Sequence, residues 1–518
     1  MKRSTFHDII ILLLVLFPAL LLLSQYTSYV NDHPDARAFP LDDAWIHLTY
    51  ARNLATHGRF SYHPDDPATS GSTAPLYTLL EAAGFFIIRN EYILAKGLSI
   101  LFYLGSILLF YLISTKTFRH CAPAAMILLS ALALDWRMLW SALSGMETSC
   151  FIFLLLAILY TAGSSGKKGI LAAGVLCGLA LWIRPESLIM TFLASMILLR
   201  ENRDGTSTLP RKSRVLIFAF AFLIPALGYA VFNYVLSGAP LPNTYYAKGS
   251  FYRQFSRGEY VWDVVQYFIQ PFRPFYSPPA LLALAAFFFV SLYHSTRDLI
   301  RGTFGKRAIL WIFPGLLILS YTWRIPLLFE RGRYILPALP FLLLASGNAL
   351  SPLVEKIQKG RIGNLVILVL ISIVYILQIV SAVRHEFEYY ADCKYIYYRH
   401  VTTSLWVKEH IPAEETIAAH DIGALGYYSG HRIFDLAGLI SPGTERILEK
   451  PQEQIQLLKR ENIHYLVMAL DWRQLHPLLK QIPREHLFPP REEYPPPFRP
   501  MEVFRIFPED ALNKVQKD

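Results

Sequence analysis

The chain has 518 residues, of which 53% are hydrophobic and 17% are charged. This composition is too apolar for a soluble protein of this length, because the hydrophobic residues come in long uncharged runs such as 365–383. The formal net charge of +10 comes from basic residues that flank those runs, which predicts membrane topology and no nucleic-acid partner. The four cysteines include no CxxC pair, so neither a disulfide framework nor a metal site is predicted.

Hydropathy predicts eleven membrane-spanning helices, because a bilayer core about 30 Å thick requires about 20 apolar residues in a helix. The predicted spans are 9–25, 92–113, 122–140, 147–163, 169–183, 186–200, 214–236, 279–294, 308–321, 334–350 and 363–383. The first span follows Lys2 and Arg3, as in a signal peptide, but no small-residue cleavage site follows Leu23. An uncleaved anchor is therefore predicted.

The basic residues predict which loops face the cytoplasm. With a cytoplasmic N-terminus, the six inner segments hold 18 Lys or Arg in 61 residues, whereas three outer loops hold 10 in 103 residues. This bias follows the positive-inside rule, so the first loop, 26–75, and the tail from about residue 384 are predicted to face outward. Segment 75–89 is apolar but has Glu81 in its middle, and a crossing there would reverse every later loop. We therefore predict an interfacial helix at 75–89.

Two adjacent carboxylates, Asp42 and Asp43, begin a helical pattern in the first outer loop. Apolar residues recur every four positions from Ile46 to Leu54, and Gly58 suits a C-cap, which together predict a short amphipathic helix with Asp42 as its N-cap. Acidic residues at a helix start can simply cap it and complement its dipole. Just outside the first span, however, a carboxylate could also act as a general base on an acceptor hydroxyl.

The same loop continues through the Ser, Thr and Gly residues of 69–77, which predict a turn-rich segment returning to the bilayer. Hydroxyl groups such as those of Ser72 and Thr73 could bind a sugar or a phosphate. An ordinary surface connection has the same composition, and the sequence leaves both interpretations open.

Several cationic residues lie at other predicted outer boundaries: Arg184, Lys248, Arg331 and Arg333. A departing phosphate needs positive charge nearby, and arginine suits bidentate phosphate contacts. The alternative is that these side chains anchor the helices at the interface. Glu147, at another outer boundary, either binds an acceptor or pairs with an arginine.

The tail changes character after residue 384, where charged residues, Tyr and Pro become frequent. A helix is predicted at 402–410 and a strand at 416–419, and 432–436 and 463–470 are apolar segments. We therefore predict a small α/β domain outside the membrane, in which 494–500 is an extended surface segment.

In their order along the chain, these segments resemble bacterial GT-C membrane glycosyltransferases, above all their arabinofuranosyltransferase-like and mannosyltransferase-like branch. No single motif is specific, but their order is, and the resemblance spans most of the chain. It rests on 42–46, 50–54, 71–77, 144–148, 184–186, 242–248, 333–337, 421–430 and 435–439.

The resemblance implies a GT-C fold for 1–383, a soluble domain for 384–518, and a polyprenyl-phosphate sugar donor. It also implies that Asp42 is the general base and Asp43 its neighbour in substrate binding. The predicted substrate-binding residues are Arg52, Ser72, Thr73, Tyr77, Glu147, Arg184, Glu186, Asn243, Tyr246, Lys248, Arg331 and Arg333. Some family members use a divalent cation such as Mg²⁺ or Mn²⁺, but two adjacent carboxylates are too few ligands for a metal by themselves.

The predicted activity is an inverting sugar transfer on the outer face of a bacterial plasma membrane, with a glycan, lipid or protein acceptor. One alternative is a transporter or flippase of lipid-linked sugars. Such proteins often show repeat symmetry and ionisable residues inside their spans, whereas charge here clusters at the outer ends. The other alternative is a non-catalytic assembly subunit in which the acidic pair is structural.

Overall fold

The computed structural model is largely helical, and it includes a small β-sheet. It describes residues 5–162, 166–199, 209–251, 256–269, 279–300, 305–328, 330–447, 450–472, 475–490, 494 and 498–507. The helices before residue 400 are α1 (Thr5–Asn31), α2 (Asp43–His57), α3 (Pro75–Phe85), α4 (Glu91–Leu112), α5 (Ala122–Ala133), α6 (Trp136–Leu143), α7 (Thr148–Thr161), α8 (Lys167–Leu181), α9 (Ser187–Leu199), α10 (Arg211–Ser237), α11 (Asn243–Phe251), α12 (Arg257–Ile269), α13 (Pro279–Ile300), α14 (Lys306–Arg324), α15 (Leu339–Ile357) and α16 (Arg361–Ile396).

Each predicted span overlaps a helix, and 122–140 falls on the two helices α5 and α6. Residues 163 and 200, which end two of the predicted spans, lie outside the described residues. Among the described residues, five helices are long and apolar enough to cross a membrane, or six if α5 and α6, bent by 50°, form one span. Shorter helices such as α7, with 14 residues, extend only about 21 Å at 1.5 Å per residue. The chain is thus a polytopic helical membrane protein, and the number eleven stays a prediction.

Helix α3 covers 75–85 of the predicted segment 75–89. Its 11 residues extend about 17 Å and are too few to cross a bilayer core. Its Glu81 is buried in the protein. The prediction of a helix is confirmed here, and its interfacial location stays a prediction. A helix over 257–269, α12, was not predicted.

The described chain divides into two compact units. The first, which we call the helical unit, comprises Met1–Ser28, Lys96–Tyr229 and Gln254–Glu388. The second, the mixed unit, comprises Tyr29–Ala95, Ala230–Arg253 and Tyr389–Asp518. The first outer loop and the tail therefore belong to one compact unit, whereas we predicted a boundary at residue 384 only.

Close helix packing in the helical unit depends on small residues. A Cβ on Gly174 of α8 would lie 2.7 Å from the carbonyl oxygen of Phe218, and one on Gly178 would lie 2.3 Å from Cγ of Pro225. Both contacts are shorter than real Cβ contacts allow, so only glycine lets α10 approach at this spacing. Small residues four positions apart are typical of packed membrane helices.

The mixed unit contains a five-stranded sheet in the order β2-β1-β3-β5-β4. Its strands are β1 (Thr416–Ala419), β2 (Arg432–Asp435), β3 (Tyr465–Met468), β4 (Arg484–Phe488) and β5 (Glu502–Ile506). β1 pairs in parallel with β2 and β3, while β5 runs antiparallel to β3 and β4. The tail helices are α17 (Thr402–His410), α18 (Gly423–Ser429), α19 (Pro451–Arg460) and α20 (His476–Gln481).

Several predicted elements of the tail are confirmed. The helix over 402–410 and the strand over 416–419 have the predicted bounds, and the apolar segments contain β2 and β3. β4 and β5 were not predicted. Of the predicted extended segment 494–500, only 494 and 498–500 are described, and they lie outside helices and strands. An independent C-terminal domain stays a prediction.

The sheet separates two hydrophobic cores, because alternate strand residues point to opposite faces. On one face, Ile417 and Val467 pack in a cluster with Ile46 and Tyr50 of α2. On the other face, Leu466 packs in a cluster that takes residues from α19 and α20. The short helix of the first loop is thus part of the core that covers one side of the sheet.

Candidate active site

The N-terminus of α2 carries the two carboxylates, as predicted. Asp42 occupies the N-cap position, with helical backbone angles of φ −73° and ψ −34°, but its side chain makes no capping hydrogen bond. Gly58 is the C-cap in the left-handed region at φ 66°, and its N–H donates to the carbonyl of Leu54. The helix and its C-cap are confirmed, whereas the predicted capping by the Asp42 side chain is wrong, because that carboxylate is bound elsewhere.

Asp42 binds the start of α18. The backbone N–H of Gly423 donates to Oδ2 at 2.7 Å, and the N–H of Ala424 donates to Oδ1 at 2.8 Å. A Cβ on Gly423 would lie 2.1 Å from the backbone oxygen of Asp42 and 2.6 Å from Oδ2, so the contact requires glycine at 423. Both Asp42 oxygens therefore hold the tail against the first loop.

The surroundings of Asp42 favour its neutral form more than water would. Burial raises the pKa of the Asp42 carboxyl to about 7, and the charge of Asp421 adds to this, while the two backbone N–H groups lower it. His400 Nδ1 lies 3.7 Å from Asp42 Oδ1. For Asp421, burial acts in the same upward direction, but the nearby His420, at 3.1 Å, and His400 lower the pKa overall.

Asp43 points to a different place, a small cavity of the mixed unit. Its Oδ2 lies 3.4 Å from the Lys248 ammonium group, and the two side chains are 27% and 18% exposed. The cavity has room for little more than one water-sized sphere, and the roughly 220 Å³ of non-atom space around it includes open solvent. It is lined by Asp43, Ile46, His47, Gly71, Thr73, Thr244, Lys248 and Leu439. Asp43 and Lys248 thus form a partly exposed ion pair in a concave site, and Asp42 is not among its lining residues.

The returning segment of the first loop is attached to α2 through His47. His47 Nδ1 lies 3.1 Å from Ser72 Oγ and 3.0 Å from Thr78 Oγ1, and Nε2 lies 3.3 Å from Thr73 Oγ1. Ser72 is fully buried, as is Tyr77, whereas Thr73 lines the cavity. Of these three predicted binding residues, Thr73 is therefore the one at the cavity wall.

The remaining predicted residues of the mixed unit lie off this cavity. Arg52 stacks on the Tyr427 ring at 4.1 Å and donates to its backbone carbonyl at 3.1 Å. Asn243 is buried, and its backbone N–H donates to the carbonyl of Ser70 at 3.3 Å. Tyr246 is 41% exposed.

The helical unit brings together a second set of predicted residues. Arg184 donates to Glu147 Oε1 from Nε at 2.9 Å and from Nη2 at 2.7 Å, and from Nη1 to the carbonyl of Arg333 at 3.4 Å. Arg333 Nε lies 2.6 Å from Glu330 Oε2. The predicted alternative that Glu147 pairs with an arginine is confirmed.

Each arginine of this set has an acidic partner, since Arg331 lies 2.7 Å from Glu388. The backbone just before Arg333 is tightly turned, because Glu330, Arg331 and Gly332 all have positive φ angles. A Cβ on Gly332 would lie 2.6 Å from the Tyr267 ring, so glycine is required there. Glu186 is half-buried, and its Oε2 has no hydrogen-bond partner among the described residues.

Five residues that line the cavity were not predicted as site residues: Ile46, His47, Gly71, Thr244 and Leu439. His47 had a signal, because it follows Asp43 by four positions and so shares its face of α2. No sequence signal identified Leu439, because its position at the cavity depends on how the tail folds against the first loop.

The residues do not fit a bound metal ion. Within the ranges that the structure describes, no three His, Cys, Asp or Glu side chains come close enough to hold one. Mg²⁺ and Mn²⁺ prefer about six oxygen ligands, and Asp43 faces Lys248 instead.

The chain has the fold of GT-C membrane glycosyltransferases. It superimposes on ArnT from Cupriavidus metallidurans bound to undecaprenyl phosphate with a TM-score of 0.59 and 13% identity, covering 97% of this chain and 98% of that one. It also matches the oligosaccharyltransferase of Archaeoglobus fulgidus, with a TM-score of 0.56 and 13% identity over 90% of this chain and 70% of that one.

A further match is the archaeal oligosaccharyltransferase AglB from Archaeoglobus fulgidus in complex with an inhibitory peptide and a dolichol-phosphate. Its TM-score is 0.53, at 13% identity over 89% of this chain and 69% of that one. Residues 390–509 match a family described as a domain of unknown function (DUF8728). No curated protein sequence matches the chain.

Proposed function

We propose that this protein transfers a sugar from a polyprenyl-phosphate donor to an acceptor hydroxyl. The observation that carries the proposal is the partly exposed Asp43–Lys248 pair, 3.4 Å apart in a cavity, in a chain with the fold of ArnT bound to undecaprenyl phosphate. A carboxylate can serve as base for the attacking oxygen and an ammonium group can stabilise the leaving phosphate. The pair would have to separate when substrate binds, because in-line attack puts the two oxygens on opposite sides of the anomeric carbon.

We propose Asp43 as the general base. The acceptor oxygen forms a bond to the anomeric carbon while its proton passes to the Asp43 carboxylate, and the bond between that carbon and the phosphate oxygen breaks with inversion. The lipid phosphate leaves with the electron pair. A positioned base of this kind typically contributes about 10²–10⁴-fold to the rate.

Asp42, the base that the sequence resemblance favoured, receives a positioning role in this proposal. Its pKa of about 7 would suit a base at neutral pH. However, both its oxygens accept backbone N–H groups of α18, and protonation would weaken the contact that orients Asp43. Geometry therefore favours Asp43.

Cations are proposed to stabilise the departing phosphate, because negative charge develops there in the transition state. Lys248 is the candidate in the cavity. If substrate binding separates Lys248 from Asp43, the positive charge of Lys248 becomes available to the phosphate. Arg184 and Arg333 of the helical unit are further candidates, although Glu147 and Glu330 now neutralise them. For these two the proposal rests on side-chain chemistry alone.

The proposed location is a bacterial plasma membrane, with the reaction on its outer face. It rests on the excess of Lys and Arg in alternate segments that we assign to the cytoplasm. The acceptor would be a glycan, a lipid or a protein.

The test uses purified protein with polyprenyl phosphates carrying glucose, xylose, galactose, arabinose or mannose, together with a membrane extract. Mass spectrometry then identifies any glycosylated product. We expect transfer by the native chain, loss of transfer in Asp43→Asn, and full transfer in Asp65→Asn. Asp65 is a matched control, because it lies in the same loop with its side chain 91% exposed.

Three other results would contradict the proposal. Movement of lipid-linked sugar across reconstituted vesicles without transfer would indicate a flippase. Unchanged product formation after replacing both Asp42 and Asp43 would show that the acidic pair is not catalytic. Absence of product from the native chain with every donor would favour an assembly subunit whose acidic pair is structural.

A further inference from the structure

We propose that helix α12 lies along the membrane surface, where lipid of the outer leaflet covers its exposed apolar side chains. α12 lies between the predicted spans 214–236 and 279–294, in a loop that we assigned to the outside. Its 13 residues extend about 20 Å and are too few to cross a bilayer core. This lipid contact is independent of the proposed function, because it concerns how the helical unit meets the bilayer.

The buried face of α12 fixes how the helix is rotated against the helical unit. Tyr260, Val264 and Tyr267 are all buried, as expected for one face of an α-helix. The Tyr267 hydroxyl donates to the carbonyl of Arg331 at 2.9 Å, and Arg137 Nη1 donates to the carbonyl of Tyr267 at 3.2 Å. Because α12 is attached through this face, its other faces point in fixed directions.

The rest of α12 has an apolar side and an acidic side. Val261, Trp262 and Val265 are 45%, 60% and 39% exposed, and they fall within an arc of about 100°, since successive helix positions lie about 100° apart. Glu259 and Asp263 are also exposed, and they lie about 130° around the helix from the centre of that arc. An exposed surface divided in this way is typical of a helix in the membrane interface.

The start of α12 lies beside a side chain that marks the membrane surface. Trp323 follows the predicted span 308–321 by two residues and is 73% exposed, and tryptophan is enriched where membrane helices meet water. The Arg257 guanidinium group lies 4.5 Å from the centre of the Trp323 ring. α12 therefore begins at the depth of the interface, and its apolar side continues the lipid-facing surface of α14.

The charges of α12 indicate which part of the lipid it contacts. Arg257 is its one basic residue, whereas Glu259 and Asp263 are acidic. Anionic headgroups would therefore not attract the helix, and burial of its apolar side chains among the acyl chains is the remaining source of affinity. Neutral lipid should suffice.

The experiment measures the depth of nitroxide spin labels in the full chain, held in nanodiscs of phosphatidylcholine. Trp262→Cys and Val265→Cys place the label on the apolar side. Glu259→Cys and Asp263→Cys are the matched controls on the acidic side of the same helix. Each variant also carries Cys121→Ser, because Cys121 is the native cysteine that is not buried.

Electron paramagnetic resonance gives the depth from two reagents, because oxygen concentrates in lipid and a nickel chelate stays in water. We expect the labels at 262 and 265 to lie about 5–10 Å deeper than those at 259 and 263. Folding is checked by gel filtration, and positions 262 and 265 are read separately, so the test stays decisive if one variant folds poorly.

Two results would overturn the lipid contact. Equal access of the nickel chelate at all four positions would show that water covers the apolar side. Low access of both reagents at 262 and 265 would show that protein covers it, and spin–spin broadening between labels would then identify a second copy of the chain as the partner. Neither result would affect the proposed sugar transfer, which the donor panel tests separately.

Discussion

The Asp135–Arg137 pair of the helical unit and the Asp43–Lys248 pair of the mixed unit differ in how completely they are enclosed. Asp135 and Arg137 in the helical unit are fully buried, with Nη2 at 2.7 Å and Nε at 2.9 Å from the two carboxylate oxygens. Asp43 and Lys248 in the mixed unit are 3.4 Å apart and partly exposed. Separating the buried Asp135–Arg137 pair would leave two charges without solvent. The Asp43–Lys248 pair is partly exposed, so either charge can contact a substrate instead of its partner.

The enclosed pair also explains a break in a helix. Asp135 caps α6 by accepting the N–H of Arg137 at 2.9 Å, and the guanidinium group reaches the carbonyl of Tyr267 at 3.2 Å. These contacts stabilise the bend between α5 and α6. The Asp135–Arg137 pair therefore stabilises a helix bend, whereas the Asp43–Lys248 pair lies in a cavity where a ligand can reach it.

The largest expected effect is on the looser pair. Asp43→Asn should lower kcat by about 10²–10⁴-fold, because an amide cannot take up the proton of the acceptor hydroxyl group. The melting temperature should stay within a few degrees of the native value. Rates are measured with the best donor of the panel, and Asp65→Asn should react at the native rate. If Asp43→Asn has the kcat of the native chain, Asp43 is not the general base.

The next effect is on the enclosed pair. Arg137→Met should lower the free energy of unfolding by about 3–5 kcal/mol, because it leaves the Asp135 charge buried without its partner. Denaturation in detergent measures the loss. Adding Asp135→Leu to this variant should recover part of the stability, and failure to recover any would show that the N-cap matters more than the charge.

A smaller effect is expected where the tail meets the first loop. Gly423→Ala should destabilise the protein by about 1–3 kcal/mol, because its Cβ would overlap Asp42. Gly97→Ala in α4 serves as the control, since a Cβ there meets nothing within 4 Å. It should leave stability unchanged or slightly increased. Equal melting temperatures for the two variants would contradict the close contact at Asp42.

The smallest effect concerns pH. Asp42 has a pKa of about 7 in the folded protein against an ordinary value of 3.8, so the folded state binds this proton more tightly. Its contribution to stability is therefore favourable at low pH and is lost as pH rises from about 4 to about 7. Asp435, with a pKa raised by burial to about 6, acts in the same direction.

Asp42→Asn should accordingly reduce the fall in melting temperature between pH 5 and pH 7.5 without abolishing it. The remaining slope should reflect Asp435. The lowered pKa of Asp421 acts oppositely and only at more acidic pH. An unchanged slope in Asp42→Asn would indicate that Asp42 stays ionised throughout this range.

Local patterns predicted most of the elements but few of their contacts. Apolar runs located every long helix, and Gly58 located the end of α2, because length and chain conformation are properties of short segments. β4 and β5 were not predicted, because a strand is stabilised by its partners in the sheet: the two strands pair with each other, and β5 also pairs antiparallel with β3. Within the site, Thr73 and Lys248 line the cavity, whereas Ser72 and Tyr77 are buried and do not line it.

The sequence by itself determined that the chain is a membrane protein, that its first loop carries two carboxylates on a helix, and that it resembles the GT-C glycosyltransferases. Tertiary structure decided which carboxylate faces the cavity. Asp42 and Asp43 are the same chemical group one residue apart, but successive helix positions point about 100° apart. One therefore meets the N–H groups of α18, and the other meets Lys248.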